Sequence, residues 1–139
     1  MNYVEKIIMD LLIILLNSPW SAIGIFNAIL SLPKKIKFSK NPPAIIFYVR
    51  SFWWYRWLPS RSKVRGITNG HIISLTDEAD QLDLKHELIH VEQGMRYPFI
   101  SGPLFLYEQI LHWSDPMSNR FEKEAYERSG SRFLARSGK

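Results

Sequence analysis

The stretch Leu82-Asp83-Leu84-Lys85-His86-Glu87-Leu88-Ile89-His90-Val91-Glu92-Gln93-Gly94-Met95 decides how this chain is read. Its apolar residues Leu82, Leu88, Ile89 and Met95 recur at helical spacing, and Gly94 is the expected stop. Positions i and i+4 share one helix face, so His86 and His90 can bind one metal ion together. Glu87 follows the first histidine and projects near that ion without ligating it. From there it can take a proton from metal-bound water and pass it to a leaving amine. Zinc suits two imidazoles and a carboxylate, with a fourth position left for water. The apolar Leu88 and Ile89 between the histidines fit a helix buried beneath a cleft better than a pair of surface histidines.

A third ligand must come from another segment. Six carboxylates qualify by chemistry: Glu92, Glu108, Asp115, Glu122, Glu124 and Glu127. Glu92 lies two residues past His90 and points away from the metal face. Glu122 opens a later helical stretch, and the small Ala125 at i+3 lets that stretch approach the motif helix closely. Glu124 is about 200° around the helix from Glu122, so both cannot face one ion. The 31 residues between His90 and Glu122 leave room for a turn, a helix and a return. Asn119 with Glu122 three residues on also resembles a capping box, which would give Glu122 a purely local role. The remaining histidines, His71 in a strand and His112 at a helix end, read first as structural.

Outward from the motif, three zones appear. In the first, residues 11–32 carry no charge at all. Asn17-Ser18-Pro19 breaks this run into two helices, 3–16 and 19–32, each about 20 Å long at 1.5 Å per residue. Ser18 is the expected cap, with Pro19 at the first helical position. A kinked span, a re-entrant hairpin, two interfacial helices and a buried pair in a soluble core all fit. A cleaved signal peptide fits poorly: Lys6 is balanced by Glu5, and no small-x-small site follows.

The second zone, residues 34–65, holds nine Lys/Arg, eight aromatics and no acidic residue. Ala44–Val49, Val64–Ile67 and His71–Leu75 read as strands, the last two joined at the turn signal Asn69-Gly70. Basic residues interleaved with Trp and Tyr suit an anionic membrane surface or single-stranded nucleic acid. Their position directly after an apolar segment favours the membrane. In the third zone, Pro103–Trp113 and Asn119–Arg136 read as helices on either side of the breaker Asp115-Pro116.

The whole chain has 139 residues, 46% hydrophobic and 22% charged, which excludes general disorder. With no cysteine, a disulfide scaffold, a Cys-ligated zinc finger and a thiol nucleophile are all excluded. The formal charge of +5 is modest but unevenly spread.

His86-Glu87-Leu88-Ile89-His90, followed after an intervening helix by Glu122-Lys123-Glu124-Ala125, resembles the gluzincin arrangement of zinc metallopeptidases. More narrowly, the chain resembles a group of small bacterial proteins with an apolar opening and a short zincin-like core. Ser18-Pro19-Trp20-Ser21-Ala22-Ile23-Gly24, the strand from Gly66 to Ile73, Gly102-Pro103-Leu104-Phe105 and Asn119–Ala125 carry that likeness. It implies an α+β fold: a small antiparallel sheet packed on the motif helix, a ligand-bearing C-terminal helix, and an N-terminal apolar helical pair. Residues 1–33 would form the apolar segment and 34–139 the zincin-like domain. It also implies Zn2+ held by His86, His90 and Glu122, with Glu87 as general base in peptide-bond hydrolysis. Zincins add a substrate strand to a sheet edge above the metal, and His71, Ile72, Ile73, Ser74 and Leu75 are the expected edge. Tyr126 and His112 are the candidates for stabilising the transition state or supporting a ligand. Many gluzincins carry Asp one residue after that Ala, to orient a ligand histidine; here the residue is Tyr126, so that carboxylate comes from elsewhere or is absent.

The expected partners are a peptide or protein substrate and a membrane, not nucleic acid. Lys34, Lys35, Lys37 and Lys40 after the apolar zone put the catalytic part on the cytoplasmic side. The rival reading is a non-catalytic module that binds lipid or nucleic acid through residues 34–65, with a structural or vestigial zinc site.

Overall fold

A computed structural model describes residues 1–57, 64–113 and 115–131. Residues 58–63 of the basic-aromatic zone and 132–136 of the expected last helix lie outside the described residues. The fold is α+β, with five helices and one four-stranded sheet among the described residues. The chain runs through α1 (Tyr3–Leu16), α2 (Ser18–Leu30), β1 (Pro33–Lys40), β2 (Pro43–Val49), a 3-10 turn at Trp53–Trp57, β3 (Gly66–Asn69) and β4 (Ile72–Thr76). Then follow α3 (Gln81–Arg96), α4 (Ser101–Leu111), a 3-10 turn at Pro116–Ser118 and α5 (Arg120–Ser129).

The sheet order is β1-β2-β4-β3. β1 pairs antiparallel with β2, and β3 with β4, but β2 and β4 run parallel. The sheet is therefore mixed, where an antiparallel one is expected from the resemblance. The expected edge is corrected too: Ile72–Thr76 is an interior strand, and β3 is the edge on that side, with β1 at the other. Burial explains this. Ile72, Ile73, Ser74 and Leu75 are all buried, which requires cover on both faces and neighbours on both sides, whereas every residue of β3 is half-exposed. The Asn69-Gly70 turn then folds β3 back onto the outside of β4. Gly70 has φ of 59°, and a Cβ there would lie 2.5 Å from Ser21 Oγ, so the turn needs glycine.

β1 is a strand that the sequence reading leaves out. Its lysines are exposed and its face alternation is weak, so it carries little period-2 signal. Lysines along an outer strand discourage further edge pairing.

One face of the sheet presents Ala44, Ile46, Ile73 and Leu75 to Val91 of α3, with Leu84, Leu88 and Met95 packed around them. On the other face lies α2. A Cβ on Gly24 would be 2.6 Å from Ile72 Cβ and 2.9 Å from Asn69 O, so this helix lies almost against the backbone of the sheet. Helix α1 buries none of its residues. No single described helix is long and apolar enough to cross a membrane; α1 and α2 pass that test only as a pair, bent by 64°.

The break between α1 and α2 is built differently from expectation. Ser18 is the first helical residue, not the cap, and Asn17 at the cap position uses its side chain on tertiary partners. Its Nδ2 donates to Gly94 O (3.1 Å), and its Oδ1 accepts from Phe99 N (2.9 Å). It also meets His71 Nε2 at 3.3 Å. His71 Nδ1 lies 2.7 Å from Pro43 O, which can only accept, so Nδ1 carries the proton and Nε2 accepts from Asn17. His71 is thus a buried structural residue at the meeting point of α1, α2, β4 and α3. Gly94 is not the helix stop. Helix α3 runs on to Arg96, and Gly94 presents its carbonyl to Asn17.

Candidate metal centre

Helix α3 starts at a capping box. Asp80 Oδ1 accepts from Leu82 N and Asp83 N, and Asp83 Oδ2 accepts from Asp80 N. The other Asp83 oxygen accepts from Arg65 (2.9 Å) and Ser131 Oγ (2.9 Å), tying the helix start to the approach of β3 and the end of α5. With α3 fixed this way, His86, Glu87, His90 and Gln93 line one cavity of about 560 Å3.

His86 Nε2 and His90 Nε2 lie 3.1 Å apart. Glu122 of α5 brings one carboxylate oxygen to 3.3 Å from His86 Nε2 and the other to 3.6 Å from His90 Nε2. These three side chains could hold a metal ion, with donor atoms all within 4.8 Å of one another. Ala125, fully buried one turn on, leaves α5 room to lie against α3. Asn119 still caps α5, accepting from Phe121 N and Glu122 N, but the Glu122 carboxylate is turned to the histidines. Other carboxylates are engaged elsewhere: Glu92 pairs with Arg128, Glu124 with Arg96 and Arg128, and Glu108 with Arg120.

Gln93, which the sequence reading does not single out, orients His90. Its Nε2 donates to Phe121 O and Glu124 Oε2, both acceptors, so its Oε1 must accept from His90 Nδ1 at 2.8 Å. A proton on Nδ1 leaves the Nε2 lone pair of neutral His90 turned towards Glu122. Gln93 lies three residues past His90 and seven past His86, on the same helix face, so its position is readable from spacing alone. His86 Nδ1 has no hydrogen-bond partner among the described residues.

Tyr126 packs its ring on His86, centroids 4.3 Å apart. His112 does not join the site; at the end of α4 its Nε2 lies 3.6 Å from Glu108.

Glu87 is held by β3. Thr68 Oγ1 donates to Glu87 Oε2 at 2.6 Å and lies 3.2 Å from Glu87 O. Gly66 stands behind the carboxylate, where a Cβ would come within 2.5 Å of Oε1. No local pattern points to these two residues, because the contact runs from a strand to a helix two elements later.

The electrostatics follow from burial and proximity. Burial pushes the Glu87 carboxyl up, against the pull of His90, His86 and the Thr68 hydroxyl. Burial alone would lower His90, but the Glu122 carboxylate outweighs it and raises His90 to about 9. Burial would likewise raise Glu122, yet His90 and the hydrogen bonds from both histidines hold it well below the usual carboxylate range. Burial, helped by the Glu122 and Glu87 charges, pushes the Tyr126 phenol up, so it keeps its proton through neutral pH.

No protein-family model, no curated protein and no solved structure matches this chain.

Proposed function

We propose that the chain is a zinc-dependent metallopeptidase in which His86, His90 and Glu122 hold the ion and Glu87 is the general base. The convergence of the three donors carries this reading. Zinc bonds of about 2.0–2.1 Å at tetrahedral angles set their donors about 3.3 Å apart. The separations here are 3.1, 3.3 and 3.6 Å. When bound, zinc supplies a Lewis acid that polarises a carbonyl and acidifies water.

The chain's own residues supply the rest. Glu87, with its affinity for protons raised by burial, accepts a proton from the attacking water and returns it to the leaving amine. Thr68 and Gly66 hold its carboxylate in one orientation. Tyr126, protonated and beside His86, is the candidate donor to the developing oxyanion. β3 is the sheet edge beside the cavity, and it supports binding of an extended peptide by strand addition. A lipid- or nucleic-acid-binding module would need only the exposed lysines of β1, and a buried carboxylate with its own hydrogen-bond donor has no part in it.

Metal analysis of purified protein, with a Glu87→Gln variant in a casein or peptide-library assay, tests this. One zinc per chain in both proteins and hydrolysis by the wild type alone is the expected result. Protein that takes up no zinc, or equal hydrolysis by both, overturns it.

We further propose that α1 and α2 rest on a membrane. Lys34, Lys35, Lys37 and Lys40 would then meet anionic headgroups from the cytoplasmic side.

A further inference from the structure

The metal cavity has two unlike ends. Asp83, His86, His90 and Gly94 follow one another along α3, a run of about 16 Å at 1.5 Å per residue. At the Asp83 end lie Arg65 and Ser131. At the Gly94 end Trp20 of α2 packs on Gly102 of α4, where a Cβ would come within 2.5 Å of the indole. Most of the lining is buried or half-buried. The lining residues that are exposed are all large and apolar: Ile23 of α2, Leu106 of α4 and Trp113 just past it. These three mark the mouth.

The surface around that mouth is apolar as well. Helix α2 exposes Phe26 and Ile29, and α4 exposes Tyr107, Ile110 and Leu111, with Ile110 at 66%. Helix α1 joins α2 at Asn17, whose side chain accepts from Phe99 N just before α4, and past its Lys6–Asp10 pair α1 is apolar, with Leu11, Leu12, Leu15 and Leu16 exposed. An apolar patch of this kind marks an interaction surface, and it belongs to one chain with the exposed β1 lysines, which suit anionic headgroups.

Resting on the peptidase reading, we infer that the substrate is a peptide segment straddling the membrane interface. Its apolar flank lies in lipid and reaches the site between α2 and α4, past Ile23, Leu106 and Trp113. Its polar flank lies along β3, the half-exposed sheet edge beside the cavity. Helix α4 is therefore lipid-facing, together with α1 and α2.

The chain has no cysteine, so single labels can be placed cleanly. On the full-length, zinc-loaded Glu87→Gln protein, Leu106→Cys carries a benzophenone and is bound to phosphatidylcholine vesicles containing phosphatidylglycerol. Two probe peptides of equal length are offered, one with an apolar membrane-inserting half and a polar half, the other polar throughout. Photocrosslinking should favour the inserted peptide by about tenfold or more, as burial of one apolar side chain predicts. Equal or greater crosslinking of the polar peptide overturns the inference. In parallel, Ile110→Cys carries bimane, and brominated lipid should quench it, while a bimane at Lys37→Cys on β1 stays unquenched. An Ile110 probe that remains in water on vesicle-bound protein overturns the inference. A blue shift without vesicles assigns α4 to a second copy of the chain and overturns it as well. Failure of the peptidase reading is read separately, as absent zinc or absent wild-type hydrolysis.

Discussion

Helices α1 and α3 invert the usual relation between polarity and burial. Helix α1 is mostly apolar and has no buried residue, with Leu11 60% and Leu15 67% exposed. Helix α3 buries Asp83, His86, Glu87 and Gln93. The difference teaches that burial follows partners rather than hydropathy. Each of those polar groups has a counterpart built into a neighbouring element: Arg65 for Asp83, Glu122 for His86, Thr68 for Glu87, Phe121 and Glu124 for Gln93. Helix α2, as apolar as α1, is packed because Gly24 and Ala28 let it lie against the sheet.

The comparison breaks most visibly at the side of α3 that faces Glu122. Glu122→Gln should weaken zinc affinity by more than about 100-fold, because it removes a proposed ligand. Glu124→Gln, whose carboxylate pairs with Gln93, Arg96 and Arg128, should stay within a few-fold. Zinc titration of the two variants side by side checks this, and the reverse order would disprove the assignment of Glu122.

The same site should respond to pH. His90 is raised to about 9, so at neutral pH the metal-free protein holds a proton that the ion must displace. Zinc affinity should fall by about tenfold per unit as pH drops from about 9. Calorimetry in buffers of different ionisation enthalpy should show release of about one proton at pH 7.5. For the metal-free fold the sign is separate. A folded pKa above the unfolded value adds stability that is fully present below about pH 6.5 and is lost as pH rises through about 9. Glu122 acts oppositely: its lowered pKa adds stability above about pH 4.5 that is lost in acid. Metal-free protein should therefore melt highest between these limits.

Thr68→Val sharpens the comparison by removing one partner of one buried group. Zinc content should be unchanged and kcat should fall about tenfold, the order expected if Glu87 is the general base and is misplaced. Because the hydroxyl lowers the Glu87 pKa, its loss should move the acidic limb of the pH profile upward. An unmoved limb with lower activity would make Thr68 merely structural.

The smallest effects separate α2 from α1. Gly24→Val drives a side chain into Ile72 and the Asn69 carbonyl, and should cost about 1–3 kcal/mol by thermal melting. Leu11→Ala on α1 should change stability in detergent-free buffer by less than about 0.5 kcal/mol. A large loss at Leu11 would mean that α1 packs on this chain after all.

The sequence alone determined what depends on neighbouring residues. Helical periodicity put His86, Glu87 and His90 on one helix, the 3.6-residue turn excluded Glu92 and separated Glu122 from Glu124, and Asn69-Gly70 located the hairpin. Gln93, three residues past His90, is equally within reach of that arithmetic. What depends on distant segments was decided by tertiary structure. The interior place of β4 came from its burial on both faces, the strand at Pro33–Lys40 from pairing with β2, and the fate of Asn17 from four elements meeting there. Thr68 and Gly66 reached Glu87 only because β3 became the edge beside α3. A turn of helix constrains residues three and four apart, whereas strand order and helix docking are settled by contacts between segments dozens of residues apart, which no local pattern encodes.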